Sequence, residues 1–247
     1  MKALPMSTAS KGRGFPSRLV PVLVALWGLA ACQTSPPAPR VPTADDPAGS
    51  VAAAPVPGAR HYRVDTAQSL LQILVYRGGA MARLGHNHVI ASRHLTGVVQ
   101  VAEDPVRTRF DIEFPVNELT IDEPAMREDA GPDFPSAVPQ SARDGTRKNL
   151  LSPALLDGAA HPTVRLRAVD VLAVNDGYDV GVEITLKGQV HHKRVPLRLE
   201  HNDGSLTARG EFTLRQSELG LQPFSVAMGT LVVLDEMQVR FEIRAQQ

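Results

Sequence analysis

One pair of histidines in this sequence has a spacing that could support chemistry. His86 and His88 are two residues apart. In a β-strand both imidazole rings would point to the same face. There they could supply two ligands to a metal ion, or hydrogen bonds to the polar end of a bound molecule. His94 and the pair His191 and His192 are further candidates, but no cysteine or paired carboxylate accompanies them, so structural or solvated roles stay open.

An imidazole also titrates near neutral pH and could act as a general acid or base. However, Asp65, Ser69 and Ser92 offer no triad spacing, and the sequence contains no nucleophile elbow and no phosphate-binding glycine loop. We therefore predict no catalytic residue and a protein that is not an enzyme. Metal binding is kept only as an alternative.

A second chemical candidate is Cys32, the only cysteine in the chain. It ends the motif Leu-Ala-Ala-Cys, which resembles a lipobox, the site where diacylglycerol is joined to a thiol before cleavage. Scattered positive charges precede an apolar run at residues 19–29, which is the layout of a secretory signal and is shorter than the roughly 20 residues of a membrane-spanning helix. The alternative is an ordinary signal peptide cut near Ala31. A lone free thiol is a liability in an oxidising compartment, so we predict a lipoprotein signal at residues 1–31 and lipidation of Cys32.

The stretch after the cysteine is rich in Pro, Ala, Thr and Ser. At residues 32–59 this composition predicts an extended, semi-rigid tether, with plain disorder as the alternative. Each buried acyl methylene contributes about 0.8 kcal/mol, so several chains on Cys32 give near-permanent attachment to a membrane. Gln33 follows the cysteine where Asp would signal retention, which resembles lipoproteins sent to the outer membrane. The predicted location is the cell envelope, lipid-anchored in the outer membrane and facing the periplasm.

Residues 60–247 have the length of one domain with a sizeable core. The 26 Lys and Arg residues balance 26 Asp and Glu residues, giving a formal net charge of +0. Nothing in this overall balance indicates nucleic acid or acidic lipid headgroups as a partner.

The strand signal recurs through this domain as short stretches in which Val, Ile, Leu and Phe alternate with polar residues. Asn-Asp-Gly at residues 175–177 and 202–204 predicts hairpin turns, and so antiparallel neighbours. Residues 123–160 have a different pattern, which predicts one or two short helices across an end of the sheet. About eight such strands form either a sandwich or a closed barrel. The clearest strands are residues 109–114, 164–168, 178–184 and 239–243.

Several loose motifs follow one another in order between about residues 61 and 245. The first reads Tyr-Arg-Val-Asp-Thr-Ala-Gln-Ser from Tyr62, and later ones lie at residues 148–162, 186–197 and 212–241. Together they resemble the YceI family, whose members are similar to lipocalins. The resemblance implies an all-β, extended antiparallel barrel of about eight strands with one or two short helices. It also implies a hydrophobic small-molecule partner, an isoprenoid lipid or quinone, and no other cofactor.

Two segments depart from the better-known family pattern. Residues 83–88 read Arg-Leu-Gly-His-Asn-His where many members have an aromatic and glycine-rich stretch, and residues 133–144 read like an added loop. The chain thus resembles a histidine-bearing branch of the family. The isoprenoid ligand is implied by the resemblance to the family and not by these residues.

An apolar chain needs only a dry tunnel lined by inward-facing strand residues. Burying roughly 500 Å² at about 25 cal/mol per Å² gives on the order of 12 kcal/mol before entropic costs. Micromolar affinity requires only about 8 kcal/mol. The alternative is that the same side chains fill the barrel. The predicted ligand-binding residues are Ile73, Val75, His86, His88, Phe110, Ile112, Phe114, Val182, Ile184, Phe212 and Phe241.

Two hypotheses follow. The leading one is an envelope lipoprotein that binds or carries a hydrophobic, polyisoprenoid small molecule inside a β-barrel. The second is a periplasmic metal-binding or stress-related interaction module with a filled barrel and a site at His86 and His88. A hollow interior favours the first hypothesis.

Overall fold

The computed structural model describes residues 55–134, 137–202 and 204–247. The predicted signal peptide, Cys32 and residues 32–54 of the predicted tether lie outside these ranges. Strands and short helices dominate the described part of the chain. The helices are α1 (Pro124–Ala130) and α2 (Gln140–Leu150). The strands are β1 (Arg60–Val64), β2 (Leu70–Gly78), β3 (His88–Ser92), β4 (Thr96–Val101), β5 (Arg109–Pro115), β6 (Thr120–Ile121), β7 (Thr163–Val174), β8 (Gly177–Leu186), β9 (Gln189–Asn202), β10 (Ser205–Arg215), β11 (Ser225–Val226) and β12 (Leu231–Gln246).

Eight of the strands close a barrel. They pair in the order β1, β4, β5, β7, β8, β9, β10 and β12, and β12 returns to β1. Every pairing is antiparallel. Beside this ring, β2 pairs with β12 and β3, β6 pairs with β3, and β11 pairs with β12. The predicted all-β, lipocalin-like antiparallel barrel is confirmed, and the sandwich is not formed.

The two ends of the barrel differ. At one end, here called the hairpin end, tight turns join β7 to β8 and β9 to β10, as the two Asn-Asp-Gly sequences predicted. The other end, here called the helix end, carries the β2–β3 loop, the β8–β9 turn, the long β10–β12 connection and α2. The first strand, β1, starts at the hairpin end, since Arg60 pairs with Val101 at the far end of β4.

Alternating sequence explains how the wall forms. Along β8 the side chains of Tyr178, Val180 and Val182 face the barrel interior, while the residues between them face outward. In β2 apolar residues are nearly continuous because both faces are covered: Leu71 faces the interior, and Leu74 packs under α1. Burial on both faces therefore removes the period-2 pattern from this strand.

The helices occupy the segment that predicted them. Met126 of α1 packs with Phe134 on the outer face of β2 and β3. Helix α2 lies at the helix end, where Arg147 donates hydrogen bonds to backbone carbonyls near β6. The prediction that residues 133–144 form an added loop is wrong from Gln140 onward. There Pro139 precedes α2, and no proline interrupts the helix that follows. No helix in the described ranges is long and apolar enough to cross a membrane.

Candidate ligand-binding cavity

The barrel is hollow. It encloses a cavity of about 610 Å³ whose lining is mainly Val, Leu, Ile and Phe side chains. Small-molecule sites commonly measure about 300–1,000 Å³ and are mostly apolar. The alternative of a filled barrel, on which the second hypothesis depended, is therefore wrong.

All eleven residues predicted to bind ligand line this cavity. They come from β2, the β2–β3 loop, β3, β5, β8, β10 and β12. The structure thus brings the whole predicted set together, and its role in holding a ligand stays a prediction. The residues are Ile73, Val75, His86, His88, Phe110, Ile112, Phe114, Val182, Ile184, Phe212 and Phe241.

One glycine makes room for the aromatic part of the wall. The Phe241 side chain of β12 lies against the backbone of Gly210 in β10. A Cβ atom at Gly210 would come within 2.5 Å of the Phe241 ring and 2.6 Å of the Pro196 carbonyl oxygen. Only glycine allows this close approach, because any larger residue would push the ring or the backbone of β9 away.

Two histidines stand at the helix end of the cavity. The ring centroids of His86 and His88 are 6.1 Å apart with an interplanar angle of 60°. Both side chains line the cavity, as the spacing predicted, but only His88 belongs to a strand. His86 lies in the loop before β3, because the short helix Ala82–Leu84 and Gly85 delay the start of that strand.

Behind His88 lies a buried charged network. Asp122 follows β6 with a φ of 56°, and its side chain is 0% exposed. One carboxylate oxygen accepts a hydrogen bond from His88 Nδ1 at 2.6 Å. The other accepts from Arg127 Nη1 at 2.6 Å and from the Val89 backbone N–H at 3.0 Å. The Asp122 N–H in turn donates to the Val89 carbonyl at 2.8 Å, so this residue is fixed to β3 by both backbone and side chain.

This network fixes the proton on one nitrogen of His88. A carboxylate can only accept, so Nδ1 of His88 must carry the proton that points to Asp122. The opposite nitrogen, Nε2, then faces the cavity, where the Thr146 hydroxyl of α2 lies 3.3 Å away. In the neutral ring Nε2 accepts a hydrogen bond, and in the protonated ring it donates one. The arrangement can therefore hold a hydroxyl or a carbonyl group.

The surroundings shift two pKa values in this cluster. Burial lowers the pKa of His86, and the nearby positive charges of His88, Arg127 and Arg77 lower it further. Burial alone would raise the pKa of Asp122, but its hydrogen bonds from His88, Val89 and Arg127 outweigh burial and hold the pKa below its ordinary value. Asp122 is thus a buried carboxylate that stays ionised, whereas His86 favours the neutral form.

The hairpin end of the cavity has its own polar group. Tyr62 is 1% exposed, and its hydroxyl lies 2.8 Å from Nε2 of His201. The two rings meet edge to face at 5.8 Å, and Arg60 approaches the same nitrogen at 3.4 Å. His201 lines the cavity but its Nε2 atom is already engaged by these two neighbours.

Sequence reasoning missed the residues that position His88. Asp122 lies 34 positions away from it and Thr146 lies 58 positions away, so no local spacing connects them. The other histidine candidates lie elsewhere: His94 and His192 are exposed, and His191 is on β9 near Gly220. Across the described ranges, no group of three or more His, Cys, Asp or Glu side chains could hold a metal ion.

Taken together, the closed antiparallel ring and its apolar interior define a lipocalin-like barrel of the kind that binds hydrophobic ligands. The model of the YceI-like domain matches residues 62–245, and the chain belongs to this family. The YceI-like family is a family of binding proteins.

One solved structure shares the fold. BcnA of Burkholderia cenocepacia superposes with a TM-score of 0.55 at 15% identity, over 74% of this chain and 99% of that protein. The YCEI protein of Campylobacter jejuni gives a TM-score of 0.44 at 7% identity, over 62% of this chain and 81% of the other. A comparison with curated protein sequences finds no significant match.

Proposed function

We propose that this protein binds or carries a polyisoprenoid small molecule with a polar head, held inside the barrel. The observation that carries the proposal is a cavity of about 610 Å³ that is apolar along its length and has the supported His88 side chain at the helix end. The apolar wall suits an isoprenoid tail, because burial of such a chain needs no specific polar partner.

The histidines orient the ligand. Nε2 of His88 and the ring of His86 both face the cavity, while Asp122 and Arg127 hold His88 from behind. A head with hydroxyl or carbonyl oxygens, such as a quinone or a prenyl alcohol, meets a group that can accept or donate a hydrogen bond. The ligand head then lies at the helix end and its tail extends toward the hairpin end.

The same proposal includes the location. The lipobox-like motif ending at Cys32 supports an acyl anchor, and Gln33 supports the outer membrane, with the barrel in the periplasm. Metabolic labelling with a radioactive fatty acid tests the anchor. Label should enter the wild-type chain and be absent from Cys32→Ala. Equal labelling of both chains, or of neither, would disprove lipidation at Cys32.

The ligand is tested by native mass spectrometry of residues 55–247, purified from an exported form without detergent. All strands of the described ranges and their buried core lie within this segment, so it can fold by itself. A bound mass of several hundred daltons that extracts into organic solvent as a polyprenyl compound would support the proposal. Bare protein, or protein whose only extra mass is a metal ion removed by a chelator, would overturn it.

A matched pair of variants tests the role of the histidine. His88→Phe removes the hydrogen-bonding nitrogen that faces the cavity, whereas His192→Phe makes the same change on an exposed position of β9. The first should lose retention of a polar-headed ligand by about tenfold, the effect of one hydrogen bond of about 1.5 kcal/mol. The second should retain the ligand as the wild type does. Equal retention of the ligand by both variants would show that His88 does not contribute to binding.

A further inference from the structure

Four exposed apolar side chains lie on two loops at the helix end of the barrel. Met81 and Leu84 belong to the β2–β3 loop, and Val226 and Met228 belong to the β10–β12 connection. Their exposed fractions are 40%, 56%, 39% and 104% respectively. We call these four residues the apolar rim. Isolated exposed apolar residues are common, but a contiguous group of them marks an interaction surface.

The two loops that carry the rim are fixed to each other. The Met81 N–H donates to the Thr230 carbonyl at 2.8 Å. Gly79 has a φ of 86°, and a Cβ atom there would lie 2.5 Å from the same oxygen, so glycine is required for this approach. The two loops therefore form one connected surface.

The backbone that projects Met228 outward is strained. Ala227 and Met228 have φ values of 49° and 54°, in the left-handed region that non-glycine residues disfavour. A turn back toward the hydrogen-bonded Thr230 imposes this conformation, since the Thr230 N–H and hydroxyl both bond to the Ala227 carbonyl. Backbone strain that projects a fully exposed apolar side chain indicates a functional surface.

The chain segments that carry the rim contain no acidic residue. Segments 78–87 and 219–234 contain no Asp or Glu, and their one charged residue is Arg83. Arg77 directly precedes the first segment, whereas Glu218 and Asp235 flank the second. Both arginines are exposed. The net charge of the whole chain is +0, but electrostatic attraction to a surface depends on the local charge within about 10 Å. The rim is thus apolar, and the basic residues Arg77 and Arg83 lie on the side of its β2–β3 loop.

The same loops also line the cavity. Gly85, Phe224 and Leu231 face the interior, each within five residues of a rim residue. A protein partner would need a concave surface for protruding Met and Leu side chains, whereas a bilayer admits them without one. We propose that the apolar rim inserts into the surface of an anionic lipid bilayer and places the helix end of the cavity against it. The purpose of this docking, transfer of the ligand between barrel and membrane, rests on the proposed function.

Sedimentation with lipid vesicles tests the docking, using residues 55–247 without the acyl anchor. One set of vesicles contains phosphatidylglycerol and phosphatidylethanolamine, and the other contains phosphatidylcholine alone. The double variant Leu84→Ser and Met228→Ser removes the two most exposed rim side chains, neither of which lines the cavity. The matched control, Leu172→Ser and Val174→Ser, changes exposed apolar residues next to the β7–β8 turn at the opposite end.

The wild type should bind the anionic vesicles more tightly than the neutral ones. The rim variant should lose at least about tenfold in partitioning, because two apolar side chains that the membrane would bury are replaced by small polar ones. The control should stay within about twofold of the wild type. Arg83→Glu should weaken binding to the anionic vesicles and leave binding to the neutral ones unchanged.

Three results would overturn the docking. The first is that the wild-type protein stays in the supernatant with both kinds of vesicle. The second is that the rim variant and the control variant lose vesicle binding equally. The third is that the wild type is a dimer and the rim variant is a monomer. The bound ligand mass, measured on the same samples, separates this proposal from the proposed function. If no sample contains ligand but the wild type still binds vesicles, the proposed ligand is wrong and the membrane docking stands.

Discussion

Replacement of Asp122 by asparagine should destabilise the protein strongly. The Asp122 side chain is 0% exposed and its two nearest partners are also buried, His88 at 12% and Arg127 at 6% exposure. Asparagine keeps the shape but removes the charge, and its NH2 group replaces one of the two carboxylate oxygens, so it presents N–H donors either to His88 or to Arg127, which also donate. Loss of one partner from a buried ion pair costs about 3–5 kcal/mol.

At the lower limit of about 3 kcal/mol, the melting temperature of a domain of this size should fall by about 10 °C. Urea unfolding followed by circular dichroism gives the free energy of unfolding, and a thermal scan gives the melting temperature. The control is Asp170→Asn, which alters an ion pair with Arg194 whose two side chains are more than 40% exposed. An exposed pair of this kind contributes at most about 1 kcal/mol.

The pH dependence adds a second check. Because the pKa of Asp122 is lowered in the folded state, its stabilisation is present above the ordinary carboxyl pKa of 3.8 and disappears as the pH falls through the folded value. The stability difference between wild type and Asp122→Asn should therefore persist from pH 7 to pH 5 and shrink only in stronger acid. A loss below about 1 kcal/mol at pH 7, or a difference that shrinks near pH 6, would refute the buried ionised network.

Three further predictions concern the cavity wall, two glycines and His86. Ile184→Asp puts a carboxylate into the apolar cavity and should abolish ligand retention in native mass spectrometry, whereas Thr185→Asp on the outer face of β8 should not. Gly79→Ala should destabilise by about 1–3 kcal/mol, while Gly145→Ala, in α2 with open space around it, should stabilise by about 0.5–1 kcal/mol in the same thermal assay. The lowered pKa of His86 means that the unfolded chain binds its proton more readily, so stability should decrease as the pH falls through 6.5, and His86→Gln should flatten that slope in urea titrations.

The sequence predicted the residues of the cavity wall better than those at the two ends of the barrel. Alternation along β8 identified Val182 and Ile184 as inward-facing, because a strand with one wet face repeats every two residues. The same rule found Phe110, Ile112 and Phe114 on β5, and the structure places all five along the cavity. Side-chain direction within one strand is local information, and a single sequence contains it.

The site behind His88 depends on non-local contacts. Asp122 approaches His88 only after β6 pairs with β3 through two residue pairs. Pro124 marks the start of α1, but no local pattern shows that Asp122 will face His88. The sequence also did not predict where strands are interrupted. For example, β1 and β2 pair one after the other with the same edge of β12, and the short helix Thr66–Gln68 separates them. A count of about eight strands was correct for the ring but did not reveal these interruptions.

The two ends of the cavity are chemically unequal, and this gives the proposed ligand a direction. At the hairpin end, Nε2 of His201 is engaged by the Tyr62 hydroxyl and Arg60, which leaves that nitrogen little capacity for a ligand head. At the helix end, Nε2 of His88 has a single contact of this kind, the Thr146 hydroxyl at 3.3 Å, which is longer than the 2.8 Å between Tyr62 and His201. A polar head in the barrel gains more at the helix end, where the apolar rim also lies. Under the proposed function, the head would therefore be the first part of the ligand to meet a docked membrane and the tail would follow it out of the barrel.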